Sequence, residues 1–237
     1  MIFNIQKGTF GDCLRNGDLV AVGNVVEYLR KKENNKNIKF FLSQDSMSSA
    51  DFCKKFYSFL NENTDYFSLV PGNSILPWKR VNLWDFRAIS QDLVKIKNTK
   101  EAQNKIVVFP LFNAPYNTYR NWPIELFISI LSDYEKNYPN HERIVCLDPE
   151  IKIGNLDQSK WKVNTDFNTA INHIMESEIF VGGDTGTSHF AAALDRGPNC
   201  VYYYSGRGLL HTTPFHLFNG KGKMVQYWGD FEGTTWT

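Results

Sequence analysis

The chain has 237 residues, room for one large domain or two small ones. Hydrophobic residues make up 42% of it and aromatics 15%, which supports a packed core and excludes an intrinsically disordered chain. Lysine and arginine number 26 against 25 acidic residues, so the net charge of +1 gives no global ground for a polyanion-binding surface.

The four cysteines, Cys13, Cys53, Cys146 and Cys200, form no CxxC pair, and reduced buried thiols are expected rather than a disulfide frame or a zinc site. No apolar run approaches the roughly 20 residues of a membrane span. The opening MIFNIQKGTFGD lacks the apolar centre of a signal peptide. A cytoplasmic location is the expectation.

In chain order, Ile2 to Gln6 is predicted as a first strand, followed by the glycine-containing loop Lys7-Gly8-Thr9-Phe10-Gly11-Asp12. Asn16 to Lys32 carries Leu19, Val22, Val26 and Leu29 at helical spacing. The loop glycines do not match GxGxxG, so no dinucleotide fingerprint is read there. Ile38 to Leu42 predicts a second strand, and Asp51 to Leu60 a helix with Phe52, Phe56, Phe59 and Leu60 inward. Tyr66 to Val70 predicts a third strand. The stretch from Asn73 to Asp92 sets Trp78, Trp84 and Phe86 among Lys79, Arg80 and Arg87. That composition suits packing between lobes or a stacking surface for sugar or nucleic acid. Residues 95 to 105, KIKNTKEAQNK, are polar and lysine-rich and are expected to be a linker.

A second strand-loop-helix unit opens with Lys105 to Pro110 and a helix from Trp122-Pro123, with Ile124, Phe127, Ile128 and Leu131 assigned to one face. Proline is favoured at a first helical position because its missing N–H would have no partner there. Arg143 to Asp148 predicts a strand and Trp161 to Val163 a short one. Asp166 is expected to cap a helix that buries Phe167, Ile171, Ile174 and Met175, leaving His173 at or near the surface. The most informative stretch is Glu178 to Ser205, EIFVGGDTGTSHFAAALDRGPNCVYYYS. Ile179-Phe180-Val181 is a buried-type strand, Gly182 and Gly183 interrupt it, and the capping oxygens of Asp184 to Ser188 start a helix. Cys200 to Tyr204 resumes as a strand. Such a loop leaves unpaired N–H groups at a helix N-terminus beside a sheet end, a phosphate-binding arrangement. An ordinary capped turn has the same pattern. KMVQYW near the end is strand-like. Arg207, His211 and His216 follow the last of these strands without an assigned role, and no metal-ligand cluster is present.

DTGTSHFAAAL resembles the DTG/DSG-x-x-H-x-x-A-A-L signature of glycosyltransferase family 9, the ADP-heptose:lipopolysaccharide heptosyltransferases. KGTFGD resembles that family's first loop, and YRNWPIELF its K/R-x-W-P-x-E-x-F segment. The resemblance implies an α/β fold of two Rossmann-like lobes facing across a cleft (GT-B). The lobes would be residues 1–100, shortened for this family and on the acceptor side, and 101–237, which would bind the nucleotide sugar. It implies that Asp184, Thr185, Gly186, Thr187, Ser188 and His189 hold the donor diphosphate, and that Arg120 reaches its phosphate. Glu150 would contact the nucleoside, Thr9 and Gly11 would contribute to substrate binding, and Asp12 would be the general base.

The implied reaction is an inverting, metal-independent transfer of a sugar from a nucleotide diphosphate to an acceptor hydroxyl, with no cofactor beyond the donor itself. The acceptor would be a glycan or another hydroxyl-bearing molecule. Two alternatives stay open: a non-catalytic nucleotide-sugar-binding module, and a DNA-base glycosyltransferase for which nucleic acid is the acceptor.

Overall fold

The computed structural model describes residues 16–43, 51–70, 96–110, 121–148, 151, 156–183, 185–205 and 222–227. The chain divides into two compact units, Met1–Lys97 and Asn98–Thr237.

The first unit contains α1 (Asn16–Lys32), β1 (Phe40–Ser43), α2 (Asp51–Asn63) and β2 (Phe67–Val70). Leu19, Val22, Val26 and Leu29 of α1 are all buried, as their 3.6-residue period requires. β1 and β2 pair in parallel, which needs a crossover between them, and α2 supplies it. The inward face of α2 differs from expectation. Phe56, Tyr57 and Leu60 are buried while Phe59 is only half-buried. Tyr57 is drawn in because its ring meets Phe67 of β2 edge-on, 6.1 Å between centroids. Arg30 ties the end of α1 to both strand entries: Nε donates to the Ile38 carbonyl at 2.8 Å, and a terminal nitrogen to Asp65 at 2.8 Å. The expected strand at Ile2–Gln6, the loop after it and the aromatic stretch from Asn73 to Asp92 lie outside the described residues.

The second unit contains β3 (Gln103–Phe109), α3 (Ile124–Asn137), β4 (Glu142–Cys146), β5 (Lys162–Asn164), α4 (Phe167–Glu176), β6 (Ser177–Gly182), α5 (Gly186–Ala193), β7 (Asn199–Ser205) and β8 (Gly222–Tyr227). Its six strands are all parallel, in the order β5-β4-β3-β6-β7-β8. Counted within the unit, this is the 3-2-1-4-5-6 order of a doubly wound sheet, which reverses its direction of growth between β3 and β6.

The central strands are buried on both faces. Ile106, Val107, Val108, Ile144, Val145, Phe180 and Val181 are each 0% exposed, as expected where helices cover a parallel sheet from both sides. Ile106, Val108, Val145, Ile179 and Val181 share one cluster with Phe127, Ile130 and Leu131 of α3. Alternation along the strands turns Phe180 and Tyr202 to the opposite face, where α4 and α5 pack together.

Two expectations are corrected here. On α3, Ile124 and Ile128 are exposed, and the buried stripe is Phe127, Ile130 and Leu131, extended by the partly buried Tyr134 and Tyr138. Tyr134 and Tyr138, stacked on each other, continue that stripe, and the two isoleucines lie outside it. Pro123 is the N-cap rather than the first helical residue, and its carbonyl accepts the Phe127 N–H at 3.1 Å.

The polar stretch 95–105 is also not a solvated linker throughout. Ile96, Asn98 and Lys105 are buried, and β3 already begins at Gln103. Asn98 donates to the carbonyls of Met175 at 2.9 Å and Arg196 at 2.8 Å. Its own N–H reaches Asp195 at 2.8 Å. A polar residue is stable inside when its hydrogen bonds are met in this way.

Candidate functional site

Phe109, the last residue of β3, pairs with Gly182, the last residue of β6. The sheet's reversal point and the glycine loop therefore coincide. In open α/β sheets the crevice outside the carboxyl ends of the strands at this point is where ligands bind.

The two glycines are required by close approach. A side chain on Gly182 would begin 2.6 Å from the Phe180 ring and 2.6 Å from the Ser188 hydroxyl; on Gly183 it would begin 2.8 Å from Trp122 Nε1. Small residues thus let the first turn of α5 fold back on the end of β6 and let Trp122 close on the bend.

Thr185 is the N-cap of α5, in extended conformation, with its hydroxyl accepting from the Ser188 N–H. The Thr185 carbonyl takes the N–H groups of Ser188 and His189 at 3.2 and 3.3 Å. The first N–H groups of a helix have no intrahelical acceptor. With Ser188 and His189 turned back on the cap, the amides of Gly186 and Thr187 have no acceptor among the described residues. They stand at the positive end of the helix dipole.

Of the residues expected to contact a ligand, Thr185 to His189 are therefore together at one helix start. Their side chains divide by task. Ser188 is fully buried and its hydroxyl donates to the Gly183 carbonyl at 2.6 Å. The hydroxyls of Thr185 and Thr187 meet at 2.7 Å. Thr187 and His189 are buried in the same turn. Asp184, Arg120 and Glu150 lie outside the described residues, as do Thr9, Gly11 and Asp12, and so do Arg207, His211 and His216.

Two contributors were not assigned to the site from the sequence. Tyr202 on β7 is 0% exposed and its hydroxyl donates to the Ser188 carbonyl at 3.0 Å, pinning α5 to the sheet. Alternation along the strand was the available signal, since Tyr202 points to the α5 face while Tyr203 points to the α3 core. Trp122 is buried at the entry to α3, edge-on to Tyr203 with 5.6 Å between centroids.

The two described cysteines are buried free thiols. Burial pushes the Cys146 thiol up to about 12, and Cys200 is buried with its thiol turned to the Pro198 carbonyl. Among the described residues no group of three or more His, Cys, Asp or Glu could hold a metal ion, and no helix is long and apolar enough to cross a membrane.

Compared with solved structures, the chain is similar to the E. coli ADP-heptose lipopolysaccharide heptosyltransferase II. The TM-score is 0.55 at 11% identity, covering 94% of this chain and 89% of the other. It is also similar to the E. coli heptosyltransferase WaaC with ADP, with a TM-score of 0.49 at 9% identity, covering 95% and 90%. At such identities the first likeness is one of fold, and it extends over both α/β units with their parallel sheets. No protein-family model and no curated protein matches the chain.

Proposed function

We propose that the protein is a glycosyltransferase that moves a sugar from a nucleoside diphosphate to an acceptor hydroxyl, inverting the anomeric centre without a metal ion. The observation that carries this reading is the glycine loop at the β3/β6 reversal. There the capped start of α5 presents the Gly186 and Thr187 amides outside the carboxyl end of the sheet. The motifs around Asp12 and Arg120 and the heptosyltransferase fold support it independently.

In this reading the diphosphate rests on the α5 amides and on Arg120, whose planar fork binds two oxygens at once. Glu150 contacts the nucleoside, and Thr9 and Gly11 line the acceptor loop. Asp12 accepts the proton of the acceptor hydroxyl, whose oxygen forms a bond to the anomeric carbon. The bond from that carbon to the phosphate oxygen breaks, and the nucleoside diphosphate leaves with the electron pair. Its growing charge is met by the amides and by Arg120.

A panel of nucleotide sugars screened by thermal shift, followed by release of nucleoside diphosphate, tests the proposal. One donor should raise the melting temperature, since a hundredfold excess over the dissociation constant stabilises by roughly 2.7 kcal/mol. That donor should then be consumed with an acceptor. A panel in which no nucleotide sugar binds overturns the reading; binding without turnover of any acceptor assigns a binding module instead.

A further inference from the structure

Two tryptophans share the core cluster on the α3 face of the second unit, Trp122 and Trp161. Both are nearly inaccessible, at 4% and 1% exposed. Their indole N–H groups are treated differently. Trp161 Nε1 donates to Glu135 at 2.8 Å. Trp122 Nε1 is fully buried and has no acceptor among the described residues. A buried indole N–H ordinarily finds a partner, so one kept dry and unpaired calls for a physical reason.

Its surroundings supply one. Trp122 Nε1 lies 2.8 Å from where a side chain on Gly183 would begin, so it is aimed at the bend between β6 and the cap of α5. The other buried unpaired nitrogens, on Arg143 and His173, belong to the amino end of β4 and to the last turn of α4, away from this bend. Among the described residues, the Trp122 nitrogen is the buried unpaired donor that faces Gly183, two residues before the cap of α5.

Resting on the reading of this loop as the seat of a diphosphate, we propose that the Trp122 indole N–H is a ligand donor. It hydrogen-bonds an anionic phosphate oxygen bound at the N-terminus of α5, beside the two amides. An indole N–H donates and cannot accept, and its ring is held rigidly by Tyr203 and the α3 core. Kept out of water, it has no hydration to lose when an anion arrives, and the resulting bond is charge-assisted in a low-dielectric setting. Gly183 carries no side chain, so the bend can shift by the small distance that opens the nitrogen to an incoming oxygen.

The test uses the full chain and inorganic pyrophosphate, which carries the phosphate chemistry without base or sugar. Trp122→Phe removes the N–H together with ring volume. Replacing Trp122 by 3-benzothienylalanine removes the N–H alone and keeps the shape. Calorimetric titration should show pyrophosphate affinity falling by about 10- to 100-fold in both variants, the range of one hydrogen bond to a charged group. The melting temperature of the ligand-free benzothienyl variant should stay level or rise, because a buried donor without an acceptor has been deleted. A benzothienyl variant that binds pyrophosphate within about threefold of wild type overturns the role of Trp122 and leaves the glycine loop as an anion site. A loss of affinity matched by a loss of ligand-free melting temperature in that variant also overturns it, in favour of a packing role. Wild type that binds no pyrophosphate overturns both the inference and the phosphate reading of the loop.

Discussion

The Ser188 hydroxyl donates a 2.6 Å hydrogen bond to the Gly183 carbonyl, closing the turn between β6 and α5 on itself. The bond spans five residues and is buried, so it sets the direction in which the first turn of α5 points. The same hydroxyl is where a side chain on Gly182 would collide.

Gly182→Ala should therefore destabilise the second unit by about 1–3 kcal/mol, the usual cost of overpacking a filled site. Ser188→Ala should cost about 1 kcal/mol for the lost hydrogen bond. The double variant should cost less than the sum, because deleting the Ser188 oxygen removes one of the three atoms the new methyl group meets, the other two being on the Phe180 ring. Denaturant unfolding of the three variants measures this. Strict additivity would show that the two sites do not touch in solution.

Tyr202→Phe removes the hydroxyl that donates to the Ser188 carbonyl from β7. That carbonyl lies within α5, so the expected loss of stability is modest, about 0.5–1.5 kcal/mol. Weaker nucleotide-diphosphate binding should accompany it, since the amides at Gly186 and Thr187 are positioned by the pinned turn. Unchanged binding with reduced stability would separate the pin from the site.

At the amino edge of the same sheet, Lys105 is 4% exposed and its ammonium meets Glu176 at 2.6 Å and Glu142 at 3.7 Å. Glu176→Gln leaves that buried ammonium with the more distant Glu142 as its negative charge and a neutral amide oxygen in place of the near one, whereas Lys105→Met leaves two carboxylates that water still reaches. Glu176→Gln should thus be the costlier change, by about 1–2 kcal/mol. Equal effects in thermal unfolding would contradict this.

The pH dependence follows from the same cluster. Burial holds the His173 imidazole below its ordinary value, with Lys105 and Lys162 opposing its charge and Glu142 and Glu176 favouring it. A hydrogen bond from Lys105 lowers Glu176, and one from Lys162 lowers Glu142. A histidine depressed in the folded state binds its proton more tightly when unfolded, so stability falls as pH drops below about 6.5. The depressed carboxylates contribute stability above about pH 4.3 and lose it as pH falls further. Unfolding midpoints should decline in two limbs, and His173→Asn should flatten the upper limb only. A flat profile from pH 7 to 5 in wild type would remove His173 from the account.

The parts of the fold carried by local pattern were legible in the chain. The period of Leu19, Val22, Val26 and Leu29 marked α1, the Asp166 cap started α4, and Gly182-Gly183 before a run of capping oxygens located the loop. What depended on partners distant in sequence was not legible. Asn98 reads as a linker residue until Met175, Asp195 and Arg196 are brought to it. Ile124 and Ile128 read as core until Tyr134 and Tyr138 claim the buried stripe. The hydrogen bond from the Ser188 hydroxyl to the Gly183 carbonyl was likewise not readable from the motif. The division of labour inside DTGTSH thus needed coordinates, while its location did not.

The most direct measurement for the proposed activity compares wild type with Asp12→Asn in sugar transfer, read as nucleoside diphosphate release, alongside a donor titration of each. The asparagine keeps the shape of the side chain and removes the proton acceptor. General-base catalysis contributes about 10²–10⁴-fold, so turnover should fall by that order while donor affinity stays within about threefold. Full activity in the asparagine variant would contradict the assigned base, and a wild type that binds donor yet transfers its sugar to no acceptor would contradict glycosyl transfer itself.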